Sequence, residues 1–137
     1  MKNEAKIDGI TVGGQPTAEE LASGRFQTII NVRGEAEPGN DTAEILPEGV
    51  SYTAVPWTIE TVNRDDIARI RAAVEAAEGP ILIHCMGATR AATAAAIVSA
   101  EKHGTGAAGA RKLVADAGFE IAGTPYATFI DTYLSTT

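Results

Sequence analysis

Residues 80–90 read Pro-Ile-Leu-Ile-His-Cys-Met-Gly-Ala-Thr-Arg, and an alanine-rich run follows over residues 91–100. The apolar residues that lead into the single cysteine predict a buried strand, and the alanine-rich run predicts a helix. Between them lies a loop of small residues, in which Gly87 allows the backbone to curl tightly. The stretch therefore predicts a strand–loop–helix unit that can bind an anion at the N-terminus of its helix.

Cys85 lies where a thiol becomes reactive. A thiol in water has a pKa of about 8.5, and a helix N-terminus with a neighbouring guanidinium lowers such values to roughly 3.5–7.5. Arg90 closes the loop and can hold two oxygens of a tetrahedral oxyanion in a bidentate fork. The nucleophile and the anion site would then coincide. The alternative is a structural cysteine, buried at the end of a core strand.

His-Cys, a short loop with a glycine and an arginine resemble the signature of cysteine-dependent phosphatases of the tyrosine and dual-specificity type. The classical signature has five residues between Cys and Arg, whereas this chain has the four residues 86–89. This spacing is similar to that of a bacterial phosphatase-like domain of the beta-lactamase hydrolase-like group. Three upstream segments add to the similarity: Gly14-Gln15-Pro16, Ile30-Asn31-Val32-Arg33 and Glu37-Pro38-Gly39. The resemblance extends over residues 10–97.

The resemblance implies a phosphatase that hydrolyses phosphomonoesters through a cysteinyl-phosphate, with Cys85 as the nucleophile. In such enzymes the histidine before the cysteine, here His84, orders the loop and tunes the thiolate through hydrogen bonds. The substrate would be a phosphorylated protein or small molecule, with phosphotyrosine and aryl phosphates as candidates. The implied phosphate-binding residues are Met86, Gly87, Ala88, Thr89 and Arg90.

Two groups of the phosphatase pattern are displaced in this sequence. Dual-specificity enzymes carry an aspartate after the strand that corresponds to residues 50–55, where this chain has Pro56-Trp57-Thr58. Glu60 is the nearest carboxylate and is our candidate for the general acid, with Glu37 across the site. The hydroxyl that normally follows the arginine is replaced by Ala91, so Thr89 or Thr93 would have to stabilise the leaving thiolate.

Two other functions remain open. Rhodanese-like sulfurtransferases also close a loop of Cys, four residues and Arg, around a persulfide sulfur, although the other rhodanese segments are absent from this sequence. The third possibility is an anion-binding module that has lost its acid and its hydroxyl. Trp57 has two interpretations as well, either stacking on an aromatic leaving group or capping the core.

Composition predicts a single domain over residues 1–137 with a sizeable core. A net charge of −7 argues against nucleic acid and anionic membranes as partners. One cysteine cannot form an intrachain disulfide, and the polar N-terminus lacks a signal-peptide core, so we expect a cytoplasmic protein. Two histidines and one cysteine suggest no metal cluster, and we expect no cofactor. The oligomeric state stays open.

Strand signals at residues 10–12, 26–32 and 50–55 join that of the Cys85 strand. Helix signals cover residues 18–23, 41–46, 63–77, 91–100 and 107–117, and a last helix starts at Thr124 and Pro125. We predict an α/β fold like that of dual-specificity phosphatases, with a mostly parallel sheet of about four strands and helices on both faces.

The predicted sheet has the Cys85 strand between those of Phe26 and Val50, and the Ile10 strand at an edge. Arg33, Glu35 and Glu37 follow the Phe26 strand. Because sites in open α/β sheets lie beyond the carboxyl ends of the strands, these side chains would border Cys85; otherwise they form a solvated loop.

Overall fold

A computed structural model describes residues 1–34 and 37–135. Its sheet has five strands in the order β1-β2-β5-β3-β4. The β1–β2 pair is antiparallel, and the other three pairs are parallel. The strands are β1 (Ala5–Ile7), β2 (Ile10–Gly13), β3 (Thr28–Asn31), β4 (Ser51–Ala54) and β5 (Ile81–His84). The helices are α1 (Ala18–Ala22), α2 (Thr42–Ile45), α3 (Arg64–Ala76), α4 (Thr89–His103), α5 (Gly106–Asp116) and α6 (Pro125–Leu134).

The α/β class and the mostly parallel sheet are confirmed, but the sheet has five strands rather than four. The additional strand, β1, forms a hairpin with β2 through Asp8 and Gly9, whose φ angles are 51° and 81°. Asp-Gly is a dipeptide favoured in two-residue hairpin turns, because both of its positions must adopt positive φ. The hairpin was missed because β1 has only three residues and one of them is Lys6.

The predicted strand order was wrong in one respect. The Cys85 strand, β5, is central, yet its neighbours are β2 and β3, so the strand of Ile10 is internal. Pairing with β1 covers the outer side of β2, and all four residues of β2 are buried. The strand of Val50, β4, takes the edge instead, and its residues are exposed or half-buried.

Helices cover both faces of the sheet, as predicted. Alternate residues of each strand point to opposite faces, so Ile29 and Leu82 belong to a small core with Leu21 of α1, and Ile30 and Ile83 to a large one. The large core is centred on α4, whose residues 91–100 are all buried. A helix that is apolar on every side belongs inside the protein, and its alanines let the sheet and the other helices approach closely.

The helix ends follow the sequence signals closely. Capping boxes begin α1 at Thr17 and α3 at Asn63, and Thr124 precedes Pro125 at the start of α6. Helix α4 is longer than predicted: it continues to His103, and Gly104, with a φ of 67°, caps its C-terminus. Within the described residues, no helix combines the length and the apolar character needed to cross a membrane.

Candidate active site

Cys85 lies directly after β5 and is 1 % exposed. Its N–H donates to the carbonyl of Gly13 at 3.1 Å, and its Sγ accepts a hydrogen bond from the N–H of Ala88 at 3.1 Å. Ala88 has a φ of 84°, in the left-handed region that is unfavourable for a residue with a Cβ. This turn folds the loop back over the sulfur and places the sulfur at the N-terminus of α4.

The segment after β2 supports the Cys85 loop from one side. Gly14 and Gly87 form an isolated β-bridge, and a Cβ added to Gly14 would lie 2.4 Å from the carbonyl oxygen of Met86. No side chain larger than hydrogen fits there unless the loop moves. Asn3 donates to the carbonyl of Gly87 at 3.1 Å. The glycine that precedes Gln15 is therefore required by contact with the loop.

Arg90, the second residue of α4, has its guanidinium fixed on one edge. Nη1 and Nη2 donate to the two carboxylate oxygens of Glu37, both at 2.9 Å, and Nη1 also donates to the carbonyl of Trp57 at 3.0 Å. The hydrogen bond with Glu37 raises the pKa of Arg90 above its already high usual value. Among residues 1–34 and 37–135, nothing accepts a hydrogen bond from Nε, so the Nε–Nη2 edge can still hold two oxygens of an anion.

Glu37 lies between two arginines. Besides Arg90 it accepts hydrogen bonds from Nε of Arg33 at 3.4 Å and from the N–H of Gly34. The hydrogen bond from Arg90 contributes most to lowering the pKa of Glu37, which falls to about 2, while burial opposes the change. Glu37 is thus ionised at neutral pH and carries no proton to donate. Glu37 borders the site as predicted, Arg33 is buried behind it, and Glu35 is outside the described residues.

Arg33 is a buried cation, only 3 % exposed, that holds several loop segments together. Nη1 donates to Oε1 of Gln15 at 2.8 Å and to the carbonyl of Gly39 at 3.2 Å, and Nη2 donates to the carbonyl of Pro38. These contacts join the loop after β2 to the loop that carries Glu37.

The same polar network continues to the back of the Cys85 strand. Nε2 of Gln15 donates to Oγ1 of Thr42 at 2.9 Å, and Oγ1 of Thr42 lies 3.0 Å from Nε2 of His84. Since the Thr42 oxygen already accepts from Gln15, its own hydrogen can point to His84, which then carries its proton on Nδ1. Hydrogen bonds therefore connect His84 with Arg90. The connection runs through Thr42 and Gln15 to Arg33, and from there through Glu37.

His84 is buried on the small-core side of the sheet, opposite the Cys85 side chain. Burial lowers its pKa to about 4, against a smaller opposing effect of the Cys85 backbone. Its Nδ1 makes no hydrogen bond of ordinary geometry with the described residues. The His84 ring lies on the other side of the strand from the Cys85 sulfur. Any effect of His84 on the thiolate therefore has to pass through the backbone of Cys85.

Because His84 is buried, we expect the free energy of unfolding of the protein to depend on pH. Because the folded-state pKa is depressed, the unfolded state binds more protons between pH 6.5 and pH 4, and the free energy of unfolding falls as the pH falls. We expect a loss of about 2–3 kcal/mol between about pH 6.5 and 4.5. Urea unfolding of the wild type and His84→Gln at both pH values would measure it.

The histidine prediction has a built-in control. His103, the chain's other histidine, is exposed and pairs with Asp8 at the surface, so His103→Gln is expected to change the wild-type slope little, whereas His84→Gln is expected to lose most of it. Glu37 contributes little to this slope, because the unfolded chain begins to protonate its carboxyl only near pH 4.5, at the lower limit of the window. Equal slopes in the wild type and His84→Gln would contradict the assignment.

Glu60, our candidate acid, is exposed in the turn after β4, where the N–H of Thr58 donates to Oγ1 of Thr61 at 3.0 Å. Like burial, its charge raises the pKa of the Tyr126 hydroxyl, whereas the charge of Arg90 lowers it. Glu60 therefore lies on the side of the site where α6 begins.

Trp57 belongs to the core and does not offer a stacking surface. It is 2 % exposed, and its ring centroid lies 6.5 Å from that of Phe129. Its contribution to the site is its backbone carbonyl, which accepts from Arg90. Neither candidate hydroxyl reaches the sulfur: Thr93 is buried without a hydrogen-bond partner among the described residues, and Thr89 makes no hydrogen bond with Sγ.

Two residues of this neighbourhood were missed from the sequence. Tyr126 was not among the candidate site residues, yet burial raises the pKa of its phenol while the charge of Arg90 lowers it. Thr42 was not singled out, although it is fully buried and contacts His84. No local pattern distinguishes a tyrosine or a threonine that a distant segment brings to a site.

The family described as "Beta-lactamase hydrolase-like protein, phosphatase-like domain" has a sequence profile that matches residues 10–102. The chain belongs to this family. A beta-lactamase hydrolase-like protein of Agrobacterium fabrum is 33% identical over 102 residues, which cover 68% of this chain and 24% of the relative. The chain thus spans about a quarter of the length of that relative.

Solved structures share the fold of this phosphatase-like domain. A putative phosphatase (DUF442) from Shewanella putrefaciens superimposes with a TM-score of 0.77 at 17% identity, covering 98% of this chain and 90% of the other. TpbA from P. aeruginosa gives 0.75 at 18% identity, covering 96% and 84%. The resemblance inferred from the Cys85 loop is confirmed, and the fold is that of dual-specificity-type phosphatases.

Proposed function

We propose that this phosphatase-like domain hydrolyses phosphomonoesters through a cysteinyl-phosphate formed on Cys85. The proposal rests on the positions of Cys85 and Arg90 at the two ends of one loop. The sulfur accepts from the Ala88 amide at the N-terminus of α4, and Arg90 is held by Glu37 with its Nε–Nη2 edge left for an anion. A nucleophile and an oxyanion clamp are the two groups that phosphoryl transfer through cysteine requires.

In the proposed first step, the Cys85 thiolate attacks phosphorus in line with the leaving oxygen. The S–P bond forms as the P–O bond breaks, and the electron pair of that bond leaves with the alcohol or phenol oxygen. Arg90 and the backbone amides of residues 86–89 hold the non-bridging oxygens and stabilise their charge in the transition state. In the second step, water attacks phosphorus, the S–P bond breaks and inorganic phosphate leaves.

The leaving oxygen needs a proton donor, and this is the group that the site holds least firmly. We assign the general acid to Glu60, which is exposed and on the same side as Tyr126. A positioned acid contributes about 10²- to 10⁴-fold, and within the described residues no hydrogen bond holds the Glu60 carboxyl in place. A leaving group that needs little protonation is therefore favoured.

This preference points to aryl phosphates, including phosphotyrosine, because a phenoxide leaves more readily than an alkoxide. A structure of TpbA, similar in fold to this chain, was determined in complex with pTyr. The partner we propose is a phosphorylated protein or small molecule. A cytoplasmic location, expected from the single cysteine, is part of the proposal.

A paired assay tests this function against sulfur transfer, which the four-residue loop also suggests. Purified protein is assayed for phenol release from an aryl phosphate and for thiocyanate formation from thiosulfate and cyanide. We expect phenol release and no thiocyanate. Thiocyanate alone would replace the proposal with a rhodanese-like sulfurtransferase, and inactivity in both assays would leave an anion-binding module.

A further inference from the structure

Both terminal nitrogens of Arg90 donate hydrogen bonds to other groups of the protein. Nη1 and Nη2 both bond Glu37, and the second hydrogen of Nη1 is directed to the Trp57 carbonyl. A guanidinium has five N–H groups in one plane, so fixing three of them fixes the direction of the other two. The edge made by Nε and Nη2 is then the one that an oxyanion can use.

Glu37 is itself held in place by a buried arginine. Nε of Arg33 lies 3.4 Å from Oε1 of Glu37, and the Nη atoms of Arg33 bind the carbonyls of Pro38 and Gly39, directly after Glu37 in the chain. Only 2 % of the Arg33 side chain is exposed, so it cannot itself meet a substrate. It is a structural cation whose contacts converge on the loop that carries Glu37.

We propose that Glu37 and Arg33 are positioning residues for Arg90. Arg33 fixes the loop and the carboxylate of Glu37, and Glu37 turns the Arg90 guanidinium so that its Nε–Nη2 edge faces the phosphoryl oxygens. The inference rests on the proposed function and deepens it. It assigns to Glu37 a role different from that of a general acid, which its ionised carboxylate cannot play at neutral pH.

Replacing Glu37 removes a negative charge and also removes a contact that orients Arg90. These two changes are expected to have opposite effects on catalysis, which makes the proposal testable. Removing a negative charge beside Arg90 leaves the site more positive, so long-range electrostatics alone would strengthen the binding of a phosphate dianion. Loss of orientation instead misplaces the donors in the transition state, where an error near 1 Å costs about 10²-fold. The two effects separate in KM and kcat.

The experiment measures kcat, KM and the pH profile with an aryl phosphate for the wild type and Glu37→Gln. We expect kcat to fall about 10- to 100-fold, with KM unchanged or lower. The pH profile is expected to keep its shape, because Glu37 does not titrate in the working range. If Glu37 were the general acid, its replacement would instead remove one limb of the bell-shaped pH profile.

Surface residues offer a matched control. Glu4 makes the same two-pronged pair with Arg25, at 3.1 and 2.6 Å, but both side chains are exposed and neither belongs to the network that holds Arg90. Glu4→Gln is expected to leave kcat within about twofold. A fall in kcat that is equal in Glu4→Gln and Glu37→Gln would show a general effect of charge and would overturn the proposal.

Two further variants keep the test valid if Glu37→Gln does not fold. Glu37→Asp keeps the charge but is one methylene too short to reach both Nη atoms, and Arg33→Lys keeps the charge but loses the fork. Both are expected to lower kcat at least about fivefold, with folding checked by circular dichroism.

The outcomes separate this inference from the proposed function. An active wild type with folded variants whose kcat stays within twofold overturns the positioning role alone. A wild type that releases no phenol overturns the phosphatase function, and the positioning role with it.

Discussion

Phosphatase turnover is expected to fall by about 10⁴-fold or more when Cys85 is replaced by serine, because catalysis through a covalent intermediate depends on its nucleophile. The replacement is nearly isosteric, so the loop and the Ala88 amide are retained. An alcohol needs a neighbouring base to attack phosphorus at neutral pH. His84 cannot supply one, because its ring is bound to Thr42 on the opposite side of the sheet.

Two measurements separate loss of chemistry from loss of the site. The wild type, mixed rapidly with an aryl phosphate and quenched in acid, should carry one phosphoryl group on the peptide that contains Cys85. The Cys85→Ser protein should carry none, yet it should bind inorganic phosphate within about threefold of the wild type, since Arg90 and the loop amides remain. Residual turnover above about one per cent would contradict the assignment of Cys85 as the nucleophile.

The sequence predicts the central part of this site well because its residues are neighbours in the chain. A strand, a small-residue loop and an alanine helix bring Cys85 and Arg90 together by local geometry, and the structure has this arrangement. The loop after β3 follows from the rule that sites lie beyond the carboxyl ends of parallel strands. Arg33 and Glu37 were expected there; Glu37 binds Arg90, and Arg33 binds Glu37.

Tertiary pairing is what the sequence did not specify. A charged loop residue such as Glu37 can face solvent or another element, and only the folded chain shows that it binds Arg90 across 53 positions. Tyr126 reaches the site only because α6 packs on α4. Likewise, the strand order depends on β1, a strand of only three residues, which is too short to carry a clear sequence signal.

Arg90→Lys is expected to lower kcat/KM by about 10²- to 10³-fold, although it conserves the charge. Arg90 bonds both Glu37 oxygens and the Trp57 carbonyl while its Nε–Nη2 edge stays available. An ammonium has three donors at one point, so it cannot meet the carboxylate, the carbonyl and two phosphoryl oxygens together. The loss should appear mainly in kcat, because the donors matter most where charge develops in the transition state.

Arg25→Lys, in the surface pair with Glu4, is the matched control and is expected to leave kcat/KM within about twofold. An Arg90→Lys protein within tenfold of the wild type would show that charge alone suffices at this position. That result would remove the geometric basis of the proposed clamp.

Combining Arg90→Lys with Glu37→Gln tests whether the two side chains act as one unit. Residues that act independently give additive losses, whereas residues in direct contact do not. If Glu37 acts by orienting the Arg90 guanidinium, Glu37→Gln should cause no further loss of activity in a protein that already carries Arg90→Lys. The kcat of the double variant should then lie within about threefold of that of Arg90→Lys. A further loss of tenfold or more would mean that Glu37 acts on the substrate by a route that does not pass through Arg90.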